Sequence, residues 1–314
     1  MKWTILGSYH KTWVPLLLVL IGLAAIAPFL DVYFLYILTI VCLNVILATG
    51  LNLLSGYTGQ ISLCHSGFLG IGAYSCTILM IRLHLPYPLA LLSAGLIAGC
   101  AGFLVGIPAL RLRGLYLAMV TLGFGEIVHL VLHHWQGLTG GPLGLKVPTA
   151  RIGPVVFKSE LSLFYLFLFV AFIFVILARN LIHSKIGRAF RSIAYSEIAA
   201  QACGVDLAKY KTLSFALSAF YAGIAGGLYC QLLKYLSPDP FGLFESIQYL
   251  TMIVLGGMGS IIGSVVGASL LSILPEILRD FKDYQELIFS LLLMLFILFM
   301  PRGIYGMIRS VFRF

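Results

Sequence analysis

The residues best suited to chemistry in this sequence are Glu126, His129 and His133, which recur at intervals of three and four positions. On a helix of 3.6 residues per turn, their side chains fall within about 60° of one another. Such a face could bind a metal ion, so an intramembrane metalloenzyme is one hypothesis. The other is that His133 and His134 lie at a membrane interface beside Trp135, where imidazole and indole rings are well accommodated, and we favour it.

A proton relay is a second kind of chemistry to consider. Ionisable groups inside a membrane are energetically costly, so those that occur there generally have a function. Glu126 is the only acidic residue near the middle of an apolar segment, and no basic residue lies in the middle of one. His65 could serve as a relay partner, although we favour a histidine that is hydrogen-bonded within a helix bundle. An ion-coupled carrier is therefore kept as an alternative.

The cysteines and glycines do not form a recognisable catalytic motif. Five of the six cysteines lie in apolar segments and none forms a Cys-x-x-Cys pair, which is typical of small buried side chains rather than of a zinc site or a disulfide framework. The sequence contains no Gly-x-x-x-x-Gly-Lys-Ser/Thr phosphate-binding loop. We therefore expect neither a metal site nor ATP hydrolysis in this chain.

The elements that must position these residues are apolar helices. Of the 314 residues, 61% are hydrophobic and 10% are charged, whereas a soluble domain has about 45–50% apolar and about 25% charged residues. The surplus apolar surface predicts an all-α integral membrane protein forming one domain over residues 1–314. About ten transmembrane or re-entrant helices are expected, over 13–30, 34–54, 61–81, 87–107, 114–134, 161–179, 209–233, 246–261, 262–279 and 284–300.

Two of these assignments leave alternatives open. The first segment ends in Ala25-Ile26-Ala27, which resembles a signal-peptide cleavage site, but Pro28 follows it and favours an uncleaved span. The eighth and ninth segments are short and rich in glycine, so they could form one span and a re-entrant piece.

Charge predicts the orientation. With ten crossings and a cytoplasmic N-terminus, 13 of the 20 basic residues lie on the cytoplasmic side. The seven on the other side are Arg82, Lys146, Arg151, Lys158, Lys234, Arg279 and Lys282. Because cytoplasmic loops are enriched in Lys and Arg, both termini are expected to be cytoplasmic. The net charge of +9 then reflects topology and a lipid bilayer, so no nucleic-acid partner is expected.

The loop between the sixth and seventh segments, residues 180–208, predicts a short cytoplasmic helix. Ser196 is a plausible N-cap, Glu197 suits the positive end of the helix dipole, and Gly204 can end the helix in a left-handed turn. Arg188 and Arg191 precede this helix. From the residues alone, the segment could also lie on the anionic inner leaflet.

Four ordered motifs resemble one family. Residues 197–204, Glu-Ile-Ala-Ala-Gln-Ala-Cys-Gly, are similar to the Glu-Ala-Ala…Gly signature in the coupling loop of ABC-importer permeases. Residues 55–74, 110–128 with 138–142, and 254–260 resemble branched-chain amino acid permeases, the second of them the M-type subunit in particular. His129 departs from this pattern, which has arginine there. The resemblance covers roughly residues 34–300.

The resemblance implies a permease subunit of the bacterial inner membrane, and not an enzyme. Its partners would be a second, related but different permease chain, two cytoplasmic ATPase subunits and an external amino-acid-binding protein. ATP and Mg²⁺ would bind to the ATPase subunits, and this chain would carry no cofactor. The residues implied in ATPase coupling are Arg188, Arg191, Glu197, Ala199, Ala200, Gly204 and Asp206. A related family that carries urea and short amides is the alternative for the substrate.

A pathway for a zwitterion needs small polar groups rather than a strong unbalanced charge. The spans offer such an inventory in Gln60, Ser62, His65, Thr121, Gly125 and Glu126. Because Thr121 and Gly125 share a helix face beside Glu126, we expect that helix to form a pathway wall. These polar groups could instead only hydrogen-bond between helices.

Overall fold

A computed structural model of the chain describes residues 22–112, 114–152, 155–157 and 159–278, with single positions between 288 and 307. The helices are α1 (Val32–Thr58), α2 (His65–Arg82), α3 (Tyr87–Ala109), α4 (Leu115–His134), α5 (Gln136–Thr139), α6 (Glu160–His183), α7 (Lys185–Tyr195), α8 (Glu197–Ala202), α9 (Leu207–Leu233), α10 (Leu243–Gly256) and α11 (Ile261–Ile277). Short 3₁₀ turns occupy Ala27–Phe29, Gly141–Leu143 and Asp239–Phe241.

The all-α membrane fold is confirmed. Within the described residues, five helices (α1, α3, α4, α6 and α9) are long and apolar enough to cross a membrane. The first predicted segment is described only from residue 22, and the tenth, 284–300, lies almost wholly outside the described residues. Strands are confined to two-residue pairs: β1 (Leu145–Lys146) with β4 (Tyr235–Leu236), and β2 (Arg151–Ile152) with β3 (Val155–Val156), all antiparallel.

Helices α1 and α9 form the centre of the bundle. Helix α9 packs on α1, α2 and α3, and α1 packs also on α6 and α11. The α2–α9 crossing is close because glycines face each other: a Cβ on Gly72 would collide with the backbone of Gly223, and one on Gly226 with Leu69 O and Ala73 N. Small residues permit this approach in lipid, where no hydrophobic drive brings helices together.

The eighth and ninth predicted segments form a helical hairpin, α10 and α11, joined at residues 257–260. At 14 residues, α10 is about 21 Å long, which is less than the roughly 30 Å hydrocarbon core. Asn52 of α1 secures the turn: its Oδ1 accepts from Gly259 N–H (2.9 Å), and its Nδ2 donates to Ser260 O (2.8 Å) and Ser264 Oγ (2.6 Å).

The third predicted segment begins later than expected. Residues 59–64 are not helical, and α2 starts only at His65. His65 Nε2 lies 3.1 Å from Leu47 O, about 16 Å along α1 from Thr58 at 1.5 Å per residue. The segment 59–64 therefore runs back beside α1 into the bundle, and we refer to it as the inner segment.

Candidate functional site

Helix α8 forms where its capping residues predict it. Ser196 is the N-cap and its side chain accepts a hydrogen bond from Ala199 N–H (3.3 Å). Gly204 has φ +81°, the left-handed conformation expected after the helix. Asp206 then caps α9 by accepting from Lys209 N–H (3.1 Å). The whole turn is specified by residues that are close in sequence.

The two predicted arginines lie on α7, beside α8. Arg188 is exposed. Arg191 is also exposed, and its guanidinium lies 5.6 Å from the centre of the Tyr57 ring. This cation–π contact holds α7 against the end of α1, next to the start of the inner segment.

Helix α8 presents most of its surface to solvent. Ala199 is exposed, whereas Ala200 is buried at 3% exposure and faces the protein. Two large side chains protrude here, Ile198 of α8 at 76% exposure and Tyr195, the last residue of α7, at 96%. A cavity of about 510 Å³ is lined by α8, by Leu110 at the end of α3 and by the start of α9. This helix therefore projects from the bundle rather than packing into it.

One ion pair anchors the base of α8. Glu197 Oε1 contacts Lys211 Nζ of α9, and Lys211 is buried at 3% exposure. A buried charge is stable only when it is paired, so the pair fixes both side chains. Lys211 is not among the residues predicted for this site, although a lysine near the start of an otherwise apolar span is a signal that could have identified it.

The inner segment and the first residue of α2 together contain three of the predicted pathway residues, Gln60, Ser62 and His65. Gln60 is buried, and its Nε2 donates to Thr58 Oγ1 and to Ser214 Oγ, both at 2.9 Å. Ser62 is buried with its Oγ 3.3 Å from Cys64 Sγ. His65, buried at 1% exposure, packs edge-to-face on Tyr249 in addition to its contact with Leu47.

Helix α4 brings Thr121 and Gly125 against this segment but turns Glu126 away from it. Thr121 Oγ1 accepts from Leu63 N–H at 3.0 Å, and Gly125 packs against the backbone of Cys64. The Glu126 side chain is 49% exposed on the outer face of the fold, with Oε1 3.8 Å from His129 Nδ1. Five of the six predicted residues thus form an inner cluster, whereas the sixth, Glu126, points outward. The members of the inner cluster are Gln60, Ser62, His65, Thr121 and Gly125.

The outward face of α4 does not form a three-ligand metal cluster. Along it, the His129 and His133 rings are 6.5 Å apart, and those of His133 and His134 are 5.0 Å apart. Among the residues that the structure describes, no three His, Cys, Asp or Glu side chains come together as metal ligands.

Residues 33–300 match the family model of the branched-chain amino acid transport system permease component. The chain is 37% identical over 297 residues to the high-affinity branched-chain amino acid transport system permease protein LivM of Escherichia coli K12, covering 87% of this chain and 70% of that protein.

More distant relatives belong to the same group. The permease protein LivH of Salmonella typhimurium is 24% identical over 279 residues, 83% of this chain and 90% of that protein. The permease protein BraD of Pseudomonas aeruginosa is 27% identical over 288 residues, 86% and 93% of the two chains. No solved structure matched the chain.

These matches agree with the helical bundle and with the order of the four sequence motifs. Permease components of this family are transport subunits that neither catalyse a reaction nor carry a cofactor. This multi-pass membrane chain belongs to the family of branched-chain amino acid transport system permease components.

Proposed function

We propose that this chain is the M-type permease subunit of an ATP-driven importer that carries branched-chain amino acids across the inner membrane. The greater similarity to LivM (37%) than to LivH (24%) supports the subunit type. The observation that carries the mechanism is the capped, projecting helix α8. In this proposal residues 1–314 form a single permease domain, with residues 180–208 as its coupling loop.

The partners follow from the surface of the coupling loop. Tyr195 exposes its aromatic ring and Ile198 its methyl groups on the coupling loop. Exposed apolar side chains of this size, rimmed by polar residues, are typical of interaction sites. We assign this surface, with Arg188 and Arg191 at its edge, to a cytoplasmic ATPase subunit. The full complex has two permeases, two ATPases and an external binding protein.

The outward face of α4 is our candidate for the pathway. Glu126 lies in the middle of a membrane-spanning helix and is half exposed. A carboxylate facing lipid at that depth costs about 2.5–3.5 kcal/mol on insertion scales, so such residues line water-filled paths or interfaces. A second permease chain packed near this face would enclose the path between the two subunits.

The orientation is the part of this proposal that is easiest to test. Reporter fusions within residues 184–206 and after residue 314 are expected to report the cytoplasm, and fusions within 140–158 the outside. This result is expected because 13 of the 20 basic residues lie on the first side. A C-terminal reporter on the outside would overturn the arrangement with ten crossings.

Transport by the complete complex in proteoliposomes tests the function. Leucine, isoleucine or valine is expected to accumulate only when ATP and the binding protein are both present. Competition by excess urea but not by leucine would move the chain to the amide-transporting family. Uptake by this chain alone, without ATP, would contradict the importer and favour an ion-coupled carrier.

A further inference from the structure

The coupling loop and the inner segment are connected through the first turns of α9. Lys211, which pairs with Glu197 of α8, has a carbonyl oxygen that accepts from Ser214 Oγ at 2.7 Å. The same Ser214 Oγ accepts from Gln60 Nε2 at 2.9 Å. Lys211, Ser214 and Gln60 are all buried at 4% exposure or less. Bulk water therefore does not compete for these bonds, and each residue constrains the next.

The same contacts continue from the inner segment to α4. Gln60 is three residues from Leu63, whose N–H donates to Thr121 Oγ1 at 3.0 Å. Cys64, the next residue, lies so close to α4 that a Cβ on Gly125 would be 3.2 Å from its Cα. A displacement of residues 60–64 therefore cannot leave α4 in place, because close-packed interiors transmit strain.

We propose that Lys211, Ser214 and Gln60 are positioning residues that transmit a displacement of α8 to the pathway helix α4. This inference rests on the proposed function of α8 and α4. Helix α8 borders a cavity of about 510 Å³ that is also lined by the start of α9, and the Glu197–Lys211 ion pair joins the two helices there. We refer to Glu197, Lys211, Ser214 and Gln60 as the relay. Glu197 is its outer end and acts within this chain, through Lys211.

The side-chain oxygen of Gln60 would allow this residue to change hydrogen-bond partners during such a displacement. Its Oε1 is buried and has no hydrogen-bond partner among the described residues. Buried polar atoms are almost always bonded, so an exception calls for an explanation. The Gln60 amide thus bonds through its nitrogen, and its oxygen is available to accept a new hydrogen bond without breaking an existing one. The relay would use that freedom when α9 and the inner segment shift relative to each other.

Charge exchange tests the ion pair in the reconstituted complex. Glu197→Lys and Lys211→Glu are each expected to lower amino acid uptake per ATP hydrolysed by about tenfold, within the usual range of coupling free energies. The double variant, which restores the pair with reversed charges, is expected to recover most of the coupling. Lys209→Glu, an exposed lysine two residues earlier on α9, is the matched control and should leave the ratio unchanged.

The serines of α9 give an independent test that does not introduce a charge. Ser214→Ala removes the bond to Gln60, whereas Ser218→Ala, one turn further on, removes a buried hydroxyl that has no partner among the described residues. Uptake per ATP should fall several-fold in the first variant alone, with ATP hydrolysis retained.

The outcomes separate the relay from the proposed function. An unchanged ratio for Ser214→Ala, or no recovery in the charge-exchanged double variant despite normal assembly, would overturn the relay. Failure of the wild-type complex to take up amino acids would instead overturn the proposed function. If the single charge variants do not assemble, the serine pair, which changes little volume, still decides the question.

Discussion

Helix α8 and the inner segment are both short and both carry polar residues, but they are stabilised in different ways. Helix α8 is held by its own caps and by one ion pair, and it exposes Ile198 and Ala199. The inner segment is held by partners far away in sequence, such as Ser214, 154 residues from Gln60. A docking helix can thus be changed without harm to the fold, whereas the inner segment and the bundle form one unit.

The largest effect is expected where the bundle itself is overpacked. Gly226→Val places a branched side chain against Leu69 O and Ala73 N at the α2–α9 crossing. Overpacking costs about 1–3 kcal/mol and more where only backbone can yield, so the protein should be lost from the membrane. Gly137→Val is the control, since a Cβ there meets nothing within 4 Å. Immunoblots of membrane fractions measure the difference, and equal abundance would show that the crossing tolerates a side chain.

Substitutions in α8 and in the turn that follows it should have the opposite effect: they should abolish uptake and leave folding intact. Gly204→Val forces a β-branched residue into φ +81° in open space, so it should distort the loop without any clash in the bundle. Gly204→Asn is the control, because asparagine tolerates this conformation better than other side chains. Uptake and the melting temperature of the purified complex are the measurements. A lowered melting temperature in Gly204→Val would remove the contrast between the two regions.

A smaller effect is expected at the turn between α10 and α11. Asn52→Leu leaves Gly259 N–H without its side-chain acceptor and removes the bonds to Ser260 O and Ser264 Oγ, which should destabilise the bundle by about 1–3 kcal/mol. Asn44→Leu removes only the bond to Ser272 Oγ and should cost less. Thermal unfolding of the two variants in the same detergent compares them directly. An equal loss would mean that the Asn52 contacts are not special.

The smallest effect is expected from Thr121→Val, which keeps the shape of the side chain and removes one acceptor. Leu63 N–H loses its partner, so stability should fall by about 1 kcal/mol and uptake modestly. Thr39→Val is the control, because among the described residues Thr39 Oγ1 donates to Leu35 O of its own helix. Initial uptake rates of the two variants measure the difference. A larger loss of uptake in Thr39→Val than in Thr121→Val would contradict a role for the Thr121–Leu63 bond in transport.

Local signals explain what the sequence could predict. The cap at Ser196 and the left-handed Gly204 lie within the turn that they form, so residue types alone indicated α8. The bonds of Asn52 to Gly259, 207 residues away, depend on the packing of whole helices and left no local signal. Helix geometry predicts that Gly125 and Glu126 point in directions about 100° apart, but it does not predict which of the two residues faces the protein.

Site-directed photocrosslinking tests most directly whether α8 is the surface at which an ATPase moves this permease. Ile198→Cys, labelled with benzophenone maleimide in a background of Cys100→Ser and Cys203→Ser, places the probe on the exposed face of α8. We expect a crosslink to the ATPase subunit in the assembled complex, and none from Ile127→Cys on the exposed face of α4. Crosslinks to the external binding protein, or to lipid alone, from position 198 would contradict the coupling role of α8.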